Sequence, residues 1–268
     1  MQKGYFTSNS YDTPEKEHLS FKEKILLNSM LYFNLCYAST VLRSRAKAIR
    51  KEYFTKEWTD SSYDIFRYIE QVGGKFHITG MENITKSSGP VLFISNHMST
   101  LETMILPSII APLKDSTFVV KESLVKHTLF GDVMRSRNPI VVGRKDPRKD
   151  FETVMNGGLD LLSKGISIII FPQSTRSLEF KPEEFNSLGV KLARKAGVEV
   201  VPMAIKTDFW GNGKLIKELG PIDRHKPIHI KFGEPFRIIG NGKEENQRII
   251  DFIQSNLEKW KSDQIKKY

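Results

Sequence analysis

Apolar and polar residues change their spacing near residue 75. Ahead of it the apolar positions follow a helical period. Ile25 to Leu42 runs without a charged residue, preceded by Lys22 and Lys24 and followed by Arg43, Arg45, Lys47, Arg50 and Lys51. Asn28, Ser29, Asn34, Ser39 and Thr40 interrupt it, and it falls short of the roughly 20 strongly apolar residues that a membrane-spanning helix requires. A broad apolar side with cationic ends predicts a helix lying in a lipid headgroup layer, or else a buried helix with solvated basic ends. Trp58 to Val72 gathers Ile65, Phe66, Tyr68 and Ile69 on one helical face before Gly73-Gly74 stops it. Together the two segments predict an antiparallel helical hairpin over residues 21–74, behind a polar leader at 1–20.

From residue 75 short β-rich runs alternate with helical patterns. Lys75 to Thr79, Val91 to Ser95, Thr117 to Val120, Ile140 to Val142, Ile166 to Phe171, Val198 to Ile205 and Ile228 to Phe232 read as strands. Leu101 to Ala111, Phe151 to Leu162, Leu188 to Ala196 and Glu244 to Trp260 read as helices. This alternation predicts an α/β domain over 75–268, a mostly parallel central sheet flanked by helices, with the hairpin as an appendage. The near-continuous apolar run at 166–171 suits a central strand.

Composition narrows the chemistry. The chain has 268 residues and a formal net charge of +10, so its surface attracts nucleic acid, anionic headgroups or phosphorylated substrates. Cys36 is the only cysteine, which excludes an intrachain disulfide and a zinc-cysteine site. The first 18 residues lack the basic and apolar regions of a secretory signal, so the expected location is the cytoplasmic side. No basic-aromatic motif accompanies the charge, and a nucleic-acid partner is not expected. Elbow, P-loop, zinc-protease and dinucleotide-binding signatures are all missing.

Polar clusters follow four successive strands: Asn96-His97, Lys121-Glu122, Gly143-Arg144-Lys145 and Gln173-Ser174-Thr175-Arg176. In parallel sheets, chemistry collects beyond the carboxyl ends of strands, so the four loops predict one site. His97 is a candidate general base, and Glu102, five residues on, can hold its second ring nitrogen if a helix starts near Ser99 or Thr100. The same residues also fit a histidine that closes a strand and a glutamate that is merely favourable in a first helical turn. Lys121, Arg144 and Arg176 can converge on an anion such as a phosphate, or remain ordinary solvated cations.

Four ordered blocks resemble the lysophosphatidic acid (1-acylglycerol-3-phosphate) acyltransferases of the phospholipid and glycerol acyltransferase superfamily. Asn96-His97-Met98-Ser99-Thr100-Leu101-Glu102 is similar to their N-H-x-S-x-x-D block, preceded by Gly80-Met81-Glu82-Asn83-Ile84 and an apolar strand. Pro139 to Arg144, Phe171 to Ser177 (the F-P-E-G-T-R-S block) and Val201 to Ile205 match the other three. The resemblance implies acyl transfer from a thioester to the free glycerol hydroxyl of a lysophospholipid, with His97 as base and Glu102 orienting it. It implies that Lys121, Arg144 and Arg176 hold the acceptor phosphate, supported by Asn96, Ser99, Gln173, Ser174 and Thr175. No metal or redox cofactor is implied, only acyl-CoA or acyl-acyl carrier protein as co-substrate. Membrane lipids become partners through a two-helix membrane motif that looks like the hairpin, giving a monotopic or peripheral protein on the cytoplasmic face.

Three residues depart from that pattern. Glu102 stands for aspartate, Gln173 for glutamate and Ser174 for glycine. They leave two alternatives open: an acyltransferase for another lyso-lipid acceptor, and a catalytically silent lipid-binding relative.

Overall fold

A computed structural model describes residues 5–15, 30–173, 175–211, 213 and 220–266. Eight strands form one sheet in the order β1-β2-β8-β7-β3-β6-β4-β5. The strands are β1 Ser10–Asp12, β2 Phe76–Thr79, β3 Val91–Ser95, β4 Ser116–Lys121, β5 Ile140–Val142, β6 Ser167–Ile170, β7 Glu199–Lys206 and β8 Ile228–Phe232. Described helices are α1 Met30–Ile49, α2 Thr55–Gln71, α3 Leu101–Ile110, α4 Glu122–Val125, α5 Gly131–Arg135, α6 Pro147–Ser163, α7 Leu188–Ala196 and α8 Lys243–Ile265. All pairs are parallel except β1 with β2 and β7 with β8.

The two-residue period of β3 separates the layers. Val91 and Phe93 join the core under α1, α2 and α3, while Leu92 and Ile94 join the core under α6, α7 and α8. Burial on both faces explains why β3 and β6 read as unbroken apolar runs. The predicted appendage is built into the first of these cores. Phe33 and Tyr37 of α1 and Trp58, Ile65, Phe66 and Ile69 of α2 are all buried there. Removing the hairpin would therefore expose the sheet.

The polar leader is also more than a leader. Ser10–Asp12 adds an antiparallel edge strand with Tyr11 opposite Ile78. Hydroxyls of Tyr11 and Thr13 each donate to Glu70 Oε1 at 2.7 Å, and Tyr5 stacks on Tyr63. These contacts are polar and aromatic and reach across the chain, so no apolar alternation announces them.

Two local devices fix the frame of the site. Gly80 has φ 76°, and a Cβ there would lie 2.1 Å from the Phe232 carbonyl oxygen, so the turn before β3 requires glycine. Pro107 interrupts α3 from within, and Ser62 of α2 repairs the interruption. Its hydroxyl donates to Met104 O at 2.6 Å and accepts from Ser108 N at 3.0 Å. The helix that carries Glu102 is thereby tied to the hairpin.

Candidate active site

β3, β4, β5 and β6 are neighbours and parallel, so their carboxyl ends open on one side of the sheet. A cavity of about 910 Å³ lies there, lined by His97, Lys121, Arg144, Gln173, Thr175 and Arg176. Its other walls are apolar, including Trp58 of α2, Met104 of α3, Phe118 of β4, and Phe130 and Met134 around α5. Polar and cationic groups thus face an apolar lobe within one cavity.

Asn96, Ser99 and Glu102 do not line this cavity but stand behind it, each essentially buried. Asn96 clamps the end of β3 to β7: its Nδ2 donates to Ile205 O at 2.8 Å and its Oδ1 accepts from Ile205 N at 3.0 Å. Thr100 occupies the N-cap position of α3, while the Ser99 hydroxyl accepts from Leu101 N at 3.1 Å. Thr100 makes no side-chain cap hydrogen bond of its own, so the capping contact comes from Ser99. Ser174 falls outside the described residues.

His97 Nδ1 lies 2.9 Å from Glu102 Oε1. The same oxygen accepts from Met98 N at 2.6 Å and Ser99 N at 2.8 Å. The other, Oε2, accepts from Thr207 Oγ1 at 2.6 Å and lies 3.0 Å from Ser99 Oγ. Burial pushes this carboxyl up, but the hydrogen bond and charge of His97, then the Thr207 hydroxyl and backbone N–H groups, outweigh it and hold the carboxyl below its usual range. An ionised carboxylate only accepts, so the network assigns a proton to His97 Nδ1, and in the neutral imidazole the lone pair is then on Nε2. The imidazole also stacks on Phe171, with centroids 4.4 Å apart, which restricts its tilt.

Gln173 meets the same loop from β6. Its Oε1 accepts from His97 N at 2.7 Å. Its Nε2 is buried and has no hydrogen-bond partner among the described residues. An orphaned buried donor costs about 1–3 kcal/mol, a cost met mainly at functional sites. A glutamate could make the same contact to His97 N, so the departure from the family pattern keeps the contact and removes a negative charge.

The cations are set by the loops after β4, β5 and β6. Arg144 adopts φ 57°, held there by Asp150 of α6, whose two oxygens accept from Gly143 N and Arg144 N at 2.8 Å each. Burial lowers the Arg144 guanidinium below its usual range, Asp150 opposes that, and the charge of Arg176 adds to it. Arg176 donates to the Thr100 hydroxyl, beside the start of α3. Two guanidinium charges are thus brought together on the cavity wall, an arrangement suited to an anion. Lys121 stands exposed at the rim. Among the described residues, no group of three or more His, Cys, Asp or Glu side chains is placed to hold a metal ion.

Sequence reasoning missed Thr207, Phe171, Asp150 and the apolar wall. Phe171 ends a run read as a strand and Asp150 lies just ahead of a run read as a helix, and nothing in their spacing marks them. The wall is assembled from elements far apart in sequence.

Comparison with known proteins gives a consistent answer. Residues 75–206 match the family model described as Acyltransferase. The chain is 26% identical over 215 residues to a 1-acyl-sn-glycerol-3-phosphate acyltransferase of Pseudomonas aeruginosa, covering 80% of this chain and 77% of that protein. It is 30% identical over 164 residues to the chloroplastic 1-acyl-sn-glycerol-3-phosphate acyltransferase LPAT1 of Arabidopsis thaliana, covering 58% of this chain but only 44% of the plant protein. Among solved structures, the fold is similar to the 1-acyl-sn-glycerophosphate (LPA) acyltransferase PlsC of Thermotoga maritima. That match has a TM-score of 0.68 at 21% identity and covers 89% of this chain and 98% of that one.

Proposed function

From the match of residues 75–206 to the family model described as Acyltransferase and the likeness to 1-acyl-sn-glycerol-3-phosphate acyltransferases, we propose that the chain is an acyltransferase that moves a fatty acyl group from a thioester to the free hydroxyl of 1-acylglycerol-3-phosphate. The observation that carries this reading is a histidine, locked in its Nδ1–H form by a buried carboxylate, on the wall of a cavity that also holds Lys121, Arg144, Arg176 and an apolar lobe.

In this reading His97 Nε2 takes the acceptor's hydroxyl proton as the oxygen attacks the thioester carbonyl. Glu102 stabilises the imidazolium that forms. The tetrahedral intermediate collapses with expulsion of the thiolate, which receives the proton back from His97. Arg144, Arg176 and Lys121 hold the acceptor phosphate, and the apolar lobe takes acyl chain, so that positioning supplies much of the rate. Asn96, Ser99, Gln173 and Thr175 support this geometry. Neither metal nor redox group enters the reaction. The donor is an acyl-CoA or an acyl-acyl carrier protein.

Replacing one guanidinium tests the acceptor assignment. Charge-assisted hydrogen bonds contribute about 1.5–3 kcal/mol, so Arg176→Gln should raise KM for 1-acylglycerol-3-phosphate roughly 10- to 100-fold. An acceptor without phosphate, such as 1-acylglycerol, should be nearly unaffected. Equal losses on both acceptors would transfer the preference to a different lyso-lipid, the alternative that Gln173 keeps open.

The hairpin supports residence at a lipid surface. Among the described residues, no helix is long and apolar enough to cross a membrane. On α1, however, Leu31, Leu35, Leu42 and Ile49 are 69%, 62%, 54% and 57% exposed, and at about 100° per residue they fall within about 40° of one another. Arg43 and Lys47 lie on the C-terminal half of the same helix, and Arg50 and Lys51 follow its end. A stripe of exposed leucines beside cations suits a monotopic helix resting among anionic headgroups. Leu35→Glu with Leu42→Glu should lower sedimentation with anionic vesicles at least about 5-fold while leaving thermal unfolding unchanged, because both side chains already face solvent. Undiminished sedimentation would contradict the assignment.

A further inference from the structure

Glutamate at position 102 carries one more rotatable bond than the aspartate of the family pattern, and its terminal torsion has no sharply preferred value. Something must hold the carboxylate plane if His97 is to be held in turn. Oε1 is fixed by three donors of its own loop, His97 Nδ1, Met98 N and Ser99 N. Among the described residues, Oε2 has two hydrogen-bonding neighbours, the hydroxyls of Ser99 and Thr207. The Ser99 hydroxyl has a single proton and three acceptors within reach, namely Glu102 Oε2, Thr207 O and Thr207 Oγ1. Thr207 Oγ1 has the shorter contact to Oε2, 2.6 Å against 3.0 Å. Among the described residues, it is the one partner of this carboxylate from outside residues 97–102.

Its delivery follows from the sheet. β7 pairs with β3 in parallel, with Ser95 opposite Met203, and continuing that register brings Thr207 level with Ser99. Thr207 is fully buried. Its backbone N–H contacts Met98 Sδ at 3.3 Å and its carbonyl accepts from Trp210 N at 3.3 Å. Trp210 is itself wedged edge-on against Phe33 and Tyr37 of α1. Thr207 lies one residue beyond the family match and does not line the cavity.

We infer that Thr207 is a positioning residue that adapts this chain's acyl-transfer site to glutamate: its hydroxyl fixes the longer carboxylate so that Glu102 still orients His97. The inference rests on the His97–Glu102 reading proposed above. Misplacing a catalytic group by about 1 Å can cost about 100-fold, and loss of one of five anchors should cost less than that.

The test is a double-mutant cycle with a spectroscopic control. Thr207→Val, which keeps the shape and removes the hydroxyl, should lower kcat about 10- to 30-fold, with acceptor KM changed less than about 2-fold. Thr207→Ser should recover most of the loss. In the Glu102→Ala background, where no side chain remains for the hydroxyl to anchor, the Thr207→Val step should cost no more than about 2-fold, because the effect passes through the carboxylate. The downfield proton resonance of His97 Nδ1–H should move or broaden in Thr207→Val and return in Thr207→Ser. Equal losses in both backgrounds, or an unmoved resonance, would overturn the inference. If Thr207→Val does not fold, the same comparison is made between Thr207→Ala and Thr207→Ser. Should the wild-type chain transfer no acyl group, the proposed function fails, while the resonance still decides whether Thr207 orients His97.

Discussion

His97→Ala should abolish turnover to within background, a loss of about 1,000-fold or more in kcat, with thermal unfolding close to wild type. General-base contributions span about 100- to 10,000-fold, and the carboxylate bonded to His97 cannot take over. Glu102, the nearest carboxylate, is buried behind the imidazole and saturated with donors. About 1,000-fold corresponds to ~4 kcal/mol of transition-state stabilisation at 1.36 kcal/mol per tenfold. Stability should change little, because the imidazole sits at the cavity wall and its main packing partner is the single ring of Phe171. Steady-state kinetics with a labelled acyl thioester, together with a thermal melt, check both halves. A folded variant with more than a tenth of wild-type kcat would remove His97 from the mechanism.

The second large effect belongs to Glu102. Glutamine at this position preserves shape and can turn its NH2 toward the Thr207 and Ser99 hydroxyls, which can rotate to accept. The His97 Nδ1–H then still finds an oxygen, but no charge balances the imidazolium, and kcat should fall about 100-fold or more. Aspartate should not serve in its place. Although it matches the family pattern, it withdraws the carboxylate by one methylene from donors arranged for glutamate, so a loss of roughly 10- to 100-fold is expected.

The pH dependence has a definite sign. The folded-state value of Glu102 lies below its usual range, so the ionised group adds stability at any pH above the unfolded carboxylate value of about 4.3. That contribution disappears as pH falls through the lower folded-state value. The gap in denaturation midpoint between wild type and Glu102→Gln should therefore be widest near neutrality and close below about pH 4. A gap of equal size at pH 3 and pH 7 would contradict the ionised, hydrogen-bonded state of Glu102.

Much of the frame was legible because its signals are local. The apolar runs of β3, β5 and β8 are bounded by turn residues, and the structure begins and ends those strands where the pattern does. Helix starts were harder. α6 begins at Pro147 instead of Phe151 because Asp146 caps it, accepting from Arg148 N and Lys149 N, and a search for apolar periodicity starts too late to register a capping residue. The short helices α4 and α5 carry too few turns to show a period. β1 escaped because three residues paired with a strand some 65 positions away have no local signature.

Legibility of the site divides in the same manner. His97, Glu102, Lys121, Arg144 and Arg176 follow strands, where topology makes polar residues conspicuous, and the structure brings them to one cavity and its rear wall. The neighbours that set their geometry are invisible to spacing. Thr207 meets Glu102 through the register of two strands, and Trp58 reaches the cavity from a hairpin that the sequence pattern sets apart as an appendage.

The central claim is that this cavity joins an acyl thioester to a lysophospholipid hydroxyl through His97. It is tested most directly by mass spectrometry of lipids formed when the full chain is incubated with isotope-labelled acyl thioesters and a mixture of lysolipids, alongside the His97→Ala chain. The account predicts labelled diacylglycerol-3-phosphate as the dominant product from the wild-type chain and none above background from the variant. A wild-type reaction that yields no acylated lipid, or a variant that yields the same product at a comparable rate, would contradict it.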